Sequence, residues 1–129
     1  GVMAADLLKL PFVYVRSKPK EHGMGNQVEG VLQPGQKVVV IEDLVSTGKS
    51  SLQVVDALRQ AGAEVVGMCA LFTYGFPVAE EAFANAAVPL RTISNYMALM
   101  EVAEELKLVA PEQKEVLGAW RTNPSEWGR

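Results

Sequence analysis

Acidic and hydroxyl-bearing residues are concentrated in one short stretch, from Glu42 to Ser50. Glu42 and Asp43 place two carboxylates side by side, and such a pair can bind the hydroxyls of a sugar or an associated Mg²⁺ ion. Gly48 lets the backbone approach a phosphate closely, because it has no Cβ. The hydroxyl donors of the stretch are Ser46, Thr47 and Ser50. An anion cradle beside a carboxylate pair suits a sugar phosphate, so we predict a site for one here.

The residues on either side of this stretch must hold it in place. Residues 37–41 are almost entirely apolar, which is typical of a strand buried on both faces of a parallel sheet, and we expect the two carboxylates to end it. A helix is predicted from Lys49 to Ala61, with Gly62 as its carboxyl-terminal cap. Ligands of parallel sheets bind at the carboxyl ends of the strands, and free N–H groups at a helix start favour an anion. The turn between strand and helix is therefore the predicted phosphate loop.

Two other interpretations of this stretch exist. Ser46 and Thr47 could do no more than cap the helix, with the carboxylates facing solvent. The segment Gly48-Lys49-Ser50 also matches the end of a Walker A motif. The first glycine of that motif would fall on Asp43, and a Walker A motif has no carboxylates before its loop. The Walker A interpretation is therefore disfavoured.

Positive charge is concentrated in a second segment, although the chain carries a net charge of −3. Arg16, Lys20 and His22, the only histidine, lie close together. Apolar residues are scarce from Arg16 to Gly30 and glycines punctuate the stretch, which predicts a long functional loop. Such a loop could close over a departing polyanion and neutralise its charge. The alternative is a solvated charged loop that binds nothing.

The remaining pattern alternates strands with helices, which is typical of an α/β fold with a mostly parallel sheet flanked by helices. We expect a single domain over residues 1–129, because no linker-like segment divides the chain. The other predicted strands are 12–15, 31–32, 64–72 and 90–93, and the other predicted helices are 2–8, 79–86, 95–106 and 111–120. Asn95 is a candidate cap for the third of these helices. Leu99, Val102 and Leu106 recur at helical spacing and are expected in the core.

The composition narrows the class of protein. Hydrophobic residues make up 49% and charged residues 21% of the chain, which is enough apolar material for a core without disulfides or metals. The net charge of −3 gives no support to nucleic-acid binding, and no apolar run approaches the roughly 18 residues of a membrane span. The one cysteine, Cys69, lies in an apolar run, so we expect a buried, inert thiol and a reducing, cytoplasmic location.

Residues 38–50 resemble the phosphoribosyl diphosphate (PRPP) motif of type I phosphoribosyltransferases. The motif has an apolar strand, two acidic residues, two apolar residues, and then hydroxyl-bearing and small residues around a glycine; Lys49 stands where many members carry Gly or Thr. The resemblance implies a type I phosphoribosyltransferase (Rossmann-like) core in which Glu42 and Asp43 hold the ribose hydroxyls. The implied contacts of the 5′-phosphate are Leu44, Val45, Ser46, Thr47, Gly48, Lys49 and Ser50.

The segments Phe12–Gly23 and Asn26–Gly30 resemble the catalytic loop of bacterial orotate phosphoribosyltransferases, and the resemblance extends through residues 73–77 and 94–96. The matching Arg, Lys and His of that family contact the pyrophosphate end of PRPP. The implied catalytic residues here are therefore Arg16, Lys20 and His22. Ser17 stands where some members carry a further Lys. The flexible catalytic loop, residues 16–30, is implied to reach the neighbouring subunit of a homodimer.

This resemblance implies transfer of the phosphoribosyl group from PRPP to orotate, which gives orotidine 5′-monophosphate and pyrophosphate in pyrimidine synthesis. Mg²⁺ is the implied cofactor, held through PRPP near Glu42 and Asp43, with no residue that binds it directly. Ser46 is implied to touch the orotate. Some members bind orotate with an Arg after the strand that follows the phosphate helix. The nearest residue here is Tyr74, so the contact of the orotate carboxylate is not assigned.

Chains of this family have a region ahead of the position of Gly1, so we expect residues 1–129 to be the carboxyl-terminal part of a longer chain. Two alternatives remain. One is a phosphoribosyltransferase for another base, or a regulator that keeps only the PRPP fold. The other is a non-catalytic module. The loop at residues 16–30 favours orotate over other bases.

Overall fold

Two sheets and five helices organise residues 1–16 and 27–124, the part of the chain that the computed structural model describes. In chain order the elements are α1 (Val2–Leu8), β1 (Tyr14–Val15), β2 (Val28–Glu29), β3 (Lys37–Val45), α2 (Lys49–Gln60), β4 (Glu64–Thr73), α3 (Pro77–Asn85), β5 (Leu90–Asn95), α4 (Tyr96–Glu105) and α5 (Pro111–Thr122). The larger sheet has three parallel strands in the order β3-β4-β5, and β1 pairs with β2 antiparallel. The predicted α/β fold with a mostly parallel sheet is confirmed.

The register of the parallel sheet brings its carboxyl ends to one edge. Val45 of β3 lies beside Thr73 of β4, which lies beside Asn95 of β5. Helices α2 and α4 begin within a few residues of the ends of β3 and β5. The Asn95 side chain accepts a hydrogen bond from the Ala98 amide at 3.0 Å, so the predicted cap of α4 is confirmed. Ligand-accessible turns are therefore collected at this edge.

One face of the parallel sheet forms the core. Side chains of a strand alternate between its two faces, and Val40, Met68 and Ala70 are all buried on the same side. Val55 of α2 and Phe83 of α3 belong to the same buried cluster. The two helices that follow β3 and β4 thus supply the second layer of the core.

The other face of this sheet is not covered by the described residues. Its exposed side chains include Val39, Ile41, Leu71 and Ile93. The prediction that residues 37–41 are buried on both faces is therefore wrong in this structure. Cys69 is also exposed, so the prediction of a buried thiol is wrong. An unbroken apolar run occurs in strands with one covered face as well as in strands with two. The run alone therefore does not show whether the second face is buried, which explains both errors.

Strand β3 is longer than predicted, because pairing with β4 continues past the carboxylates. Leu44 pairs with Phe72 and Val45 with Thr73. Glu42 and Asp43 consequently lie inside the strand, and the prediction that they end it is wrong. The two apolar residues after them keep the strand extended until the turn at residue 46.

The predicted strand at residues 31–32 is wrong, and the partner of β1 lies earlier in the chain. Val28–Glu29 pairs with Tyr14–Val15, whereas residues 31–32 form no strand. Arg16 extends the pairing, since its amide donates to the Gln27 oxygen at 2.9 Å. Residues 28–29 of the predicted loop 16–30 thus form β2, and its residues 17–26 lie outside the described part of the chain.

The carboxyl-terminal helices bury less than expected. Leu99, Val102 and Leu106 of α4 are exposed, so their predicted place in the core is wrong. The residue that α4 buries is Tyr96, and its ring lies 5.8 Å from that of Trp120 on α5. The apolar residues of α4 recur at helical spacing, but no element among the described residues covers the face that they form. No described helix is long and apolar enough to cross a membrane.

The one-sided core predicts different outcomes for two methionines. Met68 is 1% exposed and Met97 is 55% exposed. Met68→Ala should lower the free energy of unfolding by about 2–5 kcal/mol, because it leaves a cavity. Met97→Ala should change it by no more than about 0.5 kcal/mol. Urea denaturation of both variants checks this, and equal losses would contradict the assignment of the core face.

Candidate functional site

The two carboxylates of β3 occupy different environments. Glu42 is half-buried and Asp43 is exposed. Each carboxylate accepts a hydrogen bond from the backbone amide of the next residue. The Asp43 amide donates to Glu42 Oε1 at 3.1 Å, and the Leu44 amide donates to Asp43 Oδ1 at 2.7 Å. Glu42 also has a side-chain hydrogen bond with Ser51 of α2. The strand thus presents one carboxylate fixed against α2 and one open to a ligand.

The environment of Glu42 raises its pKa above the ordinary value of 4.5. Burial is the largest cause, because it disfavours the charged form. The neighbouring Asp43 side chain raises the pKa further through a hydrogen bond and through its charge. The Asp43 amide and Ser51 act in the opposite direction, since their hydrogen bonds favour the carboxylate. Burial and Asp43 together outweigh these two bonds, so Glu42 keeps its proton to a higher pH than a free glutamate does.

The turn after β3 leads directly into the start of α2. Gly48 is the residue before the helix and has a φ of +81°, a conformation that favours glycine. A Cβ at this position would lie 3.0 Å from Cε2 of Phe83. No side chain caps the first turn of α2, so its amides remain available to an anion. Four exposed residues surround this helix start: Ser46, Thr47, Lys49 and Ser50.

Ser51 and Thr73 are site residues that the sequence analysis missed. Ser51 is 1% exposed and bonds to Glu42. A serine on the apolar stripe of α2, in line with Val55 and Leu58, was the available signal. Thr73 donates its hydroxyl to the Val45 oxygen at 3.1 Å. No sequence signal identified Thr73, because its partner is a backbone atom 28 residues away.

Arg16 directly follows β1 and lies at the base of the β1–β2 hairpin. Its Nε donates to Glu29 Oε1 at 2.7 Å, and the Gln27 side chain donates to its backbone oxygen at 2.7 Å. The other two predicted catalytic residues, Lys20 and His22, lie outside the described residues. The structure thus brings the carboxylates next to the turn at residues 46–48, called the phosphate turn below, and packs β1 against α2.

The donor set fits a metal ion only in part. Glu42 and Asp43 supply oxygen atoms of the kind that Mg²⁺ prefers. Within residues 1–16 and 27–124, no three His, Cys, Asp or Glu side chains are grouped closely enough to hold a metal. These residues suit an ion that also has oxygen ligands from a bound diphosphate.

A parallel strand that carries two carboxylates near its end, a glycine turn and an uncapped helix start are together typical of an α/β domain that binds a nucleotide or a sugar phosphate. The chain belongs to the phosphoribosyl transferase domain family, whose model matches residues 1–94. The remaining residues, which include α4 and α5, lie beyond that match.

Individual relatives are similar over nearly the whole chain. An orotate phosphoribosyltransferase of Bacteroides thetaiotaomicron is 57% identical over 127 residues, which are 98% of this chain and 60% of that protein. The crystal structure of the Aeropyrum pernix orotate phosphoribosyltransferase has a TM-score of 0.67 at 32% identity, and the match covers 84% of this chain and 59% of that one. The chain therefore spans about 60% of the length of the relatives it matches.

A second similar structure contains a ligand. It is the orotate phosphoribosyltransferase of Mycobacterium tuberculosis H37Rv in complex with PRPP. Its TM-score is 0.52 at 32% identity, over 57% of this chain and 45% of that one. Together these comparisons and the fold support the type I phosphoribosyltransferase core that the sequence predicted.

The close contact at Gly48 predicts a stability difference between two glycines. Gly35 has a φ of +78° with nothing within 4 Å of a Cβ, whereas Gly48 has a φ of +81° and the Phe83 ring at 3.0 Å. Gly35→Ala should cost about 1–2 kcal/mol for the left-handed conformation alone. Gly48→Ala should cost more, because Phe83 must also move.

Denaturant unfolding of the two variants measures this difference. Phe83 lines a cavity of about 370 Å³ beside α3 and β5. Equal losses for the two substitutions would show that the ring moves into this cavity without cost, and would contradict a role of Phe83 in fixing the turn.

The raised pKa of Glu42 predicts a pH-dependent stability. Above the ordinary pKa of 4.5, and up to the raised pKa of the folded chain, the folded state binds more protons than the unfolded state. Stability therefore falls as the pH rises through this window. Glu42→Gln removes the titration, so the variant should gain stability relative to the parent between acidic pH and neutrality. Unfolding measured across this range checks the sign, and a difference that is constant with pH would contradict it.

Proposed function

We propose that the chain carries the catalytic core of an orotate phosphoribosyltransferase, which converts PRPP and orotate to orotidine 5′-monophosphate and pyrophosphate. The observation that carries the proposal is the carboxylate pair of β3 beside the uncapped start of α2. The names of the similar proteins supply the identity of the base. The parallel α/β fold would be compatible with other bases, so orotate rests on those relatives and on the resemblance of loop 16–30.

In this proposal the phosphate turn binds the 5′-phosphate of PRPP. The amides of residues 44–50 and the hydroxyls of the turn donate to its oxygens, and the dipole of α2 favours its charge. Ser46, the first exposed hydroxyl, lies between the phosphate and the base and touches the orotate. The contact of Gly48 with Phe83 supports the role of the turn in phosphate binding, because it fixes the turn before the ligand binds.

Glu42 and Asp43 accept hydrogen bonds from the two ribose hydroxyls. Asp43 is exposed and is free to turn towards the sugar, whereas Glu42 is held by Ser51. Holding the ribose at two points leaves its C1 carbon facing the base. Positive charge develops on C1 as its bond to the diphosphate oxygen breaks and the bond to a ring nitrogen of orotate forms. The electron pair of the broken bond leaves with pyrophosphate, and the ring nitrogen of orotate gives up its proton to solvent.

Arg16, Lys20 and His22 stabilise the departing pyrophosphate. Each is a cation or a titratable donor that can neutralise developing negative charge. The hairpin of β1 and β2 supports this assignment, since it holds both ends of loop 16–30 against the core beside α2. Arg16 would exchange its contact with Glu29 for the diphosphate when the loop closes.

We propose Mg²⁺ as the cofactor, carried to the site by the diphosphate of PRPP near Glu42 and Asp43. When bound, it neutralises the diphosphate and makes it a better leaving group. We also propose a homodimer in which loop 16–30 serves the neighbouring subunit, and a cytoplasmic location. The lone cysteine supports a reducing compartment.

The proposal is tested in a chimera in which this chain replaces the 127 matched residues of the Bacteroides thetaiotaomicron enzyme. The chimera should bind PRPP with Mg²⁺ in calorimetric titration and should consume orotate. Asp43→Asn should weaken PRPP binding about 10- to 100-fold, because it removes a hydrogen bond to a charged acceptor. Asp56→Asn, on an exposed position of α2, is the matched control and should bind PRPP as the parent does.

The possible outcomes separate the alternatives. PRPP binding without orotate consumption, in a chimera that turns over a different base, would assign another phosphoribosyltransferase. A folded chimera that binds neither PRPP nor orotidine 5′-monophosphate would rule out the proposed function. Asp43→Asn that binds PRPP like Asp56→Asn would refute the role of the carboxylate pair.

A further inference from the structure

Arg121 of helix α5 is hydrogen-bonded to the turn that follows β4. Arg121 Nε donates to the Tyr74 oxygen at 3.2 Å, and its Nη2 donates to the Gly75 oxygen at 2.9 Å. The planar guanidinium suits two adjacent carbonyls, which a lysine could not bond in this way. The same group lies 5.7 Å from the centre of the Tyr96 ring, which adds a cation–π contact. Arg121 therefore fixes the backbone of residues 74–75 from one side.

The same turn is bonded on its other side to the end of β3. The Thr73 hydroxyl and the Tyr74 amide both donate to the Val45 oxygen, at 3.1 and 3.3 Å. The Gly75 amide donates in turn to the Thr73 hydroxyl oxygen at 3.1 Å. Val45 is 0% exposed and directly precedes the phosphate turn. Hydrogen bonds thus connect Arg121 with the residue from which the phosphate turn begins.

Aromatic packing makes this connection stiff. The Tyr74 ring is stacked on Phe76 with centroids 5.4 Å apart, and it makes a T-shaped contact with Trp120 at the same centroid distance. Trp120 and Arg121 are consecutive residues of α5, so the helix contacts both the rings and the carbonyls of the turn. Gly75 has a φ of +63°, and a Cβ there would lie 3.4 Å from Arg121 Nη2. A side chain at Gly75 would therefore touch the guanidinium, and its main cost would be the left-handed backbone conformation.

We infer that Arg121 is a positioning residue for PRPP, which acts through the turn at residues 73–75 and the Val45 oxygen to hold the phosphate turn in its binding conformation. The inference rests on the proposed function for the identity of the ligand. It gives α5, which lies beyond the part of the chain that the family model matches, a part in substrate binding. Arg121 itself touches no reacting atom in this arrangement.

Amide hydrogen exchange of the 129-residue chain tests the inference without any ligand. The Tyr74 amide bonds to Val45 and the Leu52 amide bonds to Gly48, whereas the Met68 amide bonds to Pro89 away from the turn. Arg121→Gln should speed exchange at Tyr74 and Leu52 about tenfold, because a charge-assisted hydrogen bond is worth about that factor. Exchange at Met68 should stay as in the parent.

Three further variants make the exchange test specific. Arg121→Lys keeps the positive charge but loses the planar guanidinium that bonds both carbonyls. It should give exchange rates between those of the parent and of Arg121→Gln. Thr73→Val keeps the shape of Thr73 and removes its hydroxyl, so it should act on Tyr74 and Leu52 as Arg121→Gln does. The double variant Arg121→Gln/Thr73→Val should exchange only slightly faster than the faster of the two single variants, since both changes break the same connection. Arg59→Gln, on the last turn of α2, is the matched control and should change nothing.

Steady-state kinetics of the chimera supply the second measurement. Arg121→Gln should raise the KM for PRPP about tenfold and change kcat much less, because a displaced turn weakens binding of the 5′-phosphate. Unchanged exchange at Leu52 and Tyr74 in Arg121→Gln, or equally faster exchange at Met68, would overturn the inference. An inactive parent chimera would instead contradict the proposed function, and the exchange results would still decide the role of Arg121.

Discussion

The backbone oxygen of Val45 accepts hydrogen bonds from the Thr73 hydroxyl and the Tyr74 amide, and the position of the candidate site depends on this junction. It holds the last residue of β3, two positions beyond Asp43, against the end of β4. The strand therefore stays extended until residue 45, and the turn that follows starts from a buried, fixed point. Without the junction, the two apolar residues after Asp43 would be free to become part of a longer and less ordered loop.

Gly48 and Phe83 impose the second constraint on the same turn. Phe83 belongs to α3, which follows β4, so the ring contacts the turn from the core side while Thr73 holds it at the sheet edge. The cost of ordering the phosphate turn is thus met by packing within the fold. A turn that is already ordered loses less entropy when an anion binds, which favours affinity. Fold stability and ligand binding consequently share the same few contacts.

Local chemistry made part of this structure predictable. The sequence of residues 42–50 predicts the carboxylate pair and the glycine turn because all its members are contiguous, and Asn95 and Gly62 mark helix ends through well-understood backbone requirements. The parallel sheet followed from alternation of apolar runs with helical periods. The length of β3 did not, since it depends on pairing with residues 72–73.

Other features depend on which surfaces meet, and a hydrophobic pattern does not specify this. The apolar periods of β3 and α4 have the form expected of buried residues, yet Ile41 and Leu99 are exposed in the described part of the chain. Ser51, Thr73 and Arg121 were missed for a related reason. Their partners are a carboxylate or backbone oxygens brought close only by the fold, so the sequence does not specify the pairing, even where the position of Ser51 on the apolar stripe of α2 marks it as unusual.

The exposed thiol of Cys69 makes the open face of the sheet observable. Cys69 lies on the central strand, with Ile41 beside it on one neighbour and Arg91 on the other. Cys69 is the one cysteine of the sequence. A maleimide or a disulfide reagent would therefore react with a thiol only in the middle of this face. The rate of alkylation becomes a chemical reporter of whether any polypeptide covers the sheet, in the isolated chain or within a longer one.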